Sequence, residues 1–126
     1  MKDLTKEWVQ KAEGDFLVAG REMAAIPPVY DAVCFHAQQC VEKYLKAVLQ
    51  ENNVDLEKTH DLDLLMDACK KYIAGLSDFT EQLIGLSGCA VEVRYPGVES
   101  TAEEARACLD TADKTRRLIR GYFGVL

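Results

Sequence analysis

The chain is poor in several residue types. Its 126 residues include two histidines, three prolines and one tryptophan, and its five cysteines never occur as Cys-x-x-Cys. An odd cysteine count without paired spacing indicates neither a disulfide framework nor a zinc finger. Cys34, Cys40, Cys69, Cys89 and Cys108 mostly fall at apolar helix positions, where free thiols act as small hydrophobes. No apolar run is long enough to span a membrane. There is no alternating apolar run to build a sheet, no Gly-x-Gly-x-x-Gly and no P-loop. Positive charge is in deficit as well: the net charge is -6. That argues against indiscriminate nucleic-acid binding, which draws affinity from many phosphate contacts, but leaves room for a local basic patch.

Helix is what remains. Hydrophobic content of 48% fits a globular chain, and 126 residues fit a single domain over 1–126 with a core of its own. The opening "MKDLTKEWVQKAEGDF" is charged and has no apolar region of signal-peptide type, so a cytoplasmic protein is expected. Apolar spacing at i, i+3, i+4, i+7 marks five helical segments. The first, about 4–25, carries Leu4, Trp8, Ala12, Phe16, Ala19 and Met23 and stops at "IPP". The second, about 29–52, has the broad arc Val33, Ala37, Cys40, Val41, Tyr44, Leu45 and Val48, closed by "ENNV". The third, about 60–74, is capped by Thr59 or Asp61 and ended by Gly75. The fourth, about 78–94, starts at Ser77 or Asp78 and ends in "YPG". The fifth, about 101–123, opens on the capping-box pattern Thr101…Glu104. Short connections between long helices predict an all-α, antiparallel up-and-down bundle of four main helices plus a shorter fifth.

Two charges break the pattern. Asp15 projects near the stripe of the first helix and Arg116 lies within that of the fifth. A buried charge is costly unless paired, so Asp15 and Arg116 are expected to pair with each other or with Glu42, or else to reach water at the rim. The face of the fifth helix that carries Lys114, Arg117 and Arg120 is expected to be an ordinary solvated one, with a modest anion-attracting surface as the alternative.

Spacing tests the catalytic options. A di-iron bundle needs Glu-x-x-His on two helices. One match exists, Glu57 to His60, and His36 has Val33 three residues before it, so no metal and no cofactor is expected. Cys40 lies near His36 and Lys43 but points to the apolar arc, where a thiolate is disfavoured. Phe35 falls among Gln39, Glu42 and Lys46 on the polar side, which suggests contact with another element or subunit.

"FHAQQCVEKYLKAVL" at 35–49, "THDLDLL" at 59–65 and "VRYPG" at 93–97 before a long last helix together resemble the HEPN domain (higher eukaryotes and prokaryotes nucleotide-binding), over about Trp8 to Phe123. The resemblance implies an antiparallel helical bundle, a homodimer, and a partner minimal nucleotidyltransferase in a module like a toxin–antitoxin pair. Some members of the family are metal-independent RNases, whose arginine, followed four to six residues later by histidine, would hold phosphate and transfer protons. This chain departs from that motif: Arg94 is followed by Glu99, Ser100 and Thr101 at the required positions, and no arginine precedes His36 or His60 at that distance. The expectation is therefore a non-catalytic module with Arg94, Tyr95, His36 and Lys43 as a surface for nucleotide or RNA. Arginine can grip phosphate and tyrosine can stack on a base. The alternative is an RNase with a degenerate motif in which His36 or His60 takes the missing place.

Overall fold

In the computed structural model, residues 1–92 and 96–125 are described, with backbone alone for 87–92. Arg94 and Tyr95 lie outside the described residues. Five α-helices follow in order: α1 (Asp3–Met23), α2 (Tyr30–Glu51), α3 (Leu62–Cys69), α4 (Thr80–Glu92) and α5 (Ala102–Phe123). A 3-10 segment, Ala74–Phe79, joins α3 to α4. The described residues form an all-α bundle without a strand.

α2 is the central element because its apolar arc is wide. From Val33 to Leu49 every residue but Phe35, His36, Gln39 and Lys43 is buried, and the helix packs against α1, α3, α4 and α5. α1 and α2 are an antiparallel hairpin: Glu22 Oε2 accepts from Val29 N at the turn, and Thr5 donates to Glu51 Oε1 at the open end. α5 runs in the same sense as α2. Ser100 N donates to Asp31 near both starts, and Asn52 Nδ2 donates to the Tyr122 hydroxyl near both ends.

Helix ends follow local chemistry. Asp61, rather than Thr59, caps α3 by accepting from Asp63 N and Leu64 N. Thr101 and Glu104 close both halves of the capping box of α5. Asn53 takes a left-handed φ of 60° where the chain leaves α2, and Gly124 does the same at 72° after α5. Two expectations are corrected. α3 stops at Cys69, not near 74: past it the chain tightens into a turn in which Tyr72 N reaches back three residues, not four, to the Cys69 carbonyl. α4 starts at Thr80 without a cap from Ser77 or Asp78, since the 3-10 segment already occupies that stretch, with Ser77 Oγ donating to the Ala74 carbonyl and Thr80 Oγ1 to that of Ser77. Leu4 also departs from its stripe. It is 55% exposed, while Ala12 and Ala19 are fully buried.

Candidate functional site

The charged side chains sort onto three contacts around α2. The first joins α1 to the outer face of α2. Asp15, 8% exposed, accepts from His36 Nδ1 at 2.8 Å and from Lys43 Nζ at 2.5 Å. His36 and Lys43 are seven residues apart and Gln39 lies between them, so all three share one stripe of α2. Gln39 Nε2 donates to Gln38 at 3.1 Å. The Phe35 ring meets the His36 ring edge-on at 5.2 Å, and Phe35 stays 38% exposed.

The second contact joins α1 to α5. Glu13 receives a two-pronged bond from Arg116, Nε at 2.6 Å and Nη2 at 2.7 Å, a 2.5 Å bond from the Tyr44 hydroxyl, and Arg120 at 3.3 Å. The Arg116 guanidinium also lies over the Phe16 ring, 4.8 Å from its centroid. Burial pushes the Glu13 carboxyl up, but the bonds from Arg116 and Tyr44 and the charges of Arg116 and Arg120 together outweigh it. The group ends below its ordinary 4.5. Tyr44 moves the other way: burial first, then its bond to Glu13, hold its proton on.

The third contact ties α2 to the connection entering α3. Glu42 Oε2 accepts from Lys46 Nζ at 3.1 Å and from His60 Nδ1 at 3.0 Å. Glu42 and Lys46 are 3% and 4% exposed in their side chains, His60 78%. The Lys46 ammonium lies 5.4 Å from the Trp8 ring centroid. Glu42 Oε1 is buried with no hydrogen-bond partner among the described residues.

The expected mutual pairing of Asp15, Arg116 and Glu42 is thus corrected: each is paired, but not with another of the three. Glu13 and Asp15 sit about 200° apart around α1. Glu13 therefore faces α5 while Asp15 faces the outer side of α2, and Glu42 points away to the α3 side. Reasoning from off-pattern charges missed Glu13. Its signal was its position beside Ala12 and Phe16, at the edge of the buried stripe. The polar side of α2 is also drier than its composition suggests, with Gln38, Glu42 and Lys46 all buried.

Cys40 is fully buried, and burial first, then the charges of Glu13 and Asp15, push its thiol far up. Cys69 is likewise pushed up to about 12 by burial. Among the described residues no group of three or more His, Cys, Asp or Glu side chains converges as a metal site. No described helix is long and apolar enough to cross a membrane.

A sequence model of the HEPN domain matches residues 5–122. No curated protein and no solved structure gives a match. The match takes in nearly all of the bundle, including every residue of the three charged contacts, and the chain belongs to the HEPN domain family.

Proposed function

We propose that this protein is a non-catalytic HEPN module of the cytoplasm that acts as a homodimer with a minimal nucleotidyltransferase, in a toxin–antitoxin-like pair, and presents a surface for nucleotide or RNA. HEPN membership supports a nucleotide-binding or RNase-type module in general. The observation that carries the finer reading is the Asp15 carboxylate, which fixes His36 and Lys43 together on the half-open stripe of α2. One carboxylate uses a single donor from each. No described residue engages His36 Nε2 or the remaining Lys43 protons, which leaves an ammonium suited to phosphate oxygens beside an imidazole edge. The proposal also includes Arg94 and Tyr95 on their chemistry alone, a guanidinium suited to phosphate and a ring suited to stacking.

Calorimetric titration with ATP, GTP and a short RNA tests the reading. Binding should appear with at least one of them, and Arg94→Ala should weaken it about tenfold, the loss of a charge-assisted contact. Absence of heat with all three leaves only the protein-partner role.

One observation favours the alternative, a metal-independent RNase. A carboxylate on Nδ1 orients a histidine as a general base is oriented. RNA cleavage in EDTA that disappears in His36→Ala would establish it. Cleavage unchanged in both His36→Ala and His60→Ala would remove these histidines from the chemistry.

A further inference from the structure

Two adjoining cavities, about 330 Å³ and 140 Å³, form a groove between the start of α1, the end of α2 and the connection at 54–57. They share Leu4, Gln50 and Glu57. Its walls mix polar groups with an apolar strip of Leu4, Trp8, Leu49, Val54 and Leu56. Leu4 is more than half exposed there, a large apolar side chain left in water at the mouth of a hollow.

The rim is acidic. Glu7, Asp55 and Glu57 are exposed, and none has an ion pair or hydrogen bond from a side chain of any described residue. Lys46 reaches the groove, but its charge is met by Glu42 at 3.1 Å. Lys11 is then the one uncommitted cation among the described lining residues, against three carboxylates.

We propose that this groove docks a segment of a partner protein that carries Lys or Arg beside a large apolar side chain. The apolar group would cover Leu4 and fill the hollow against Trp8 and Leu56. The cation would meet the unpaired carboxylates of the rim. Phosphate-bearing ligands meet the wrong sign of charge here. The groove stands apart from the nucleotide surface, since neither His36 nor Lys43 is among its described lining residues.

Trp8 is the single tryptophan of the chain, so its fluorescence reports on this groove alone. The full-length protein is titrated with a short Leu/Lys peptide, with the same peptide carrying Glu for Lys, and with a short single-stranded RNA. A saturable emission change with the Leu/Lys peptide and with neither other probe is expected. Glu7→Gln and Glu57→Gln should each weaken that binding about two- to fivefold, the size of an exposed charge pair. Lys11→Glu should strengthen it by a similar factor, a gain that misfolding does not mimic. Three results would overturn the proposal: no emission change with the Leu/Lys peptide, equal response to both peptides or to RNA, or binding indifferent to all three variants.

Discussion

Glu13 is where a single side chain holds the most. It joins α1 to α5 through Arg116 and Arg120 and reaches α2 through Tyr44. Its side chain is 29% exposed, enough burial for the charge-assisted bonds to count. Because its folded pKa lies below the ordinary 4.5, the folded state binds fewer protons than the unfolded chain in acid. Its stabilisation is therefore complete above pH 4.5 and fades as pH falls through the depressed value. Glu13→Gln should destabilise by about 2 kcal/mol at neutral pH, the scale of hydrogen bonds to charged groups. The gap to wild type should narrow at pH 3. Urea denaturation at the two pH values measures this, and a gap independent of pH would mean that Glu13 acts by packing alone.

At the scale of the element, the helices owe their ends to short-range chemistry. The capping box of α5 satisfies two orphan N–H groups, Glu104 N by the Thr101 hydroxyl and Thr101 N by the Glu104 carboxylate. Thr101→Ala should lower the unfolding free energy by about 1 kcal/mol, and thermal denaturation followed by circular dichroism should show it as a lower midpoint. This cap was legible from four consecutive residues, since both partners lie on one helix. The stripes of α1, α2 and α5 were legible for the same reason, as was the capping capacity of Asp61. The early end of α3 was not: the chain turns at the Cys69 carbonyl, whereas Tyr72 and Ile73 still continue the apolar period. Of the candidate site, Asp15 and Arg116 stood out because one helix's periodicity exposes a misplaced charge. Their partners did not, because which carboxylate meets which cation depends on how α1, α2 and α5 rotate against one another. A single-helix pattern carries no information about that rotation.

At the scale of the whole molecule, the proposed homodimer requires a face that a second copy would cover. Burial inside the bundle accounts for most large apolar groups, yet Leu17 and Val18 on α1 and Phe35 on α2 remain 53%, 40% and 38% exposed. Val18 lies one turn beyond Asp15, and Phe35 adjoins His36, so both flank the contact that ties α1 to α2. Val18 and Phe35 are large apolar groups left in water on paired helices, and a second copy seated there would cover them. A dimer using this face would cover Phe35 and Val18. Phe35→Glu should then convert the proposed dimer to a monomer in sedimentation at micromolar concentration. Its helical circular dichroism should stay unchanged, because the substitution is at an exposed position. Val18→Glu should do the same from α1. A dimer that survives both variants places the interface on another side of the bundle and separates association from the Asp15–His36–Lys43 surface.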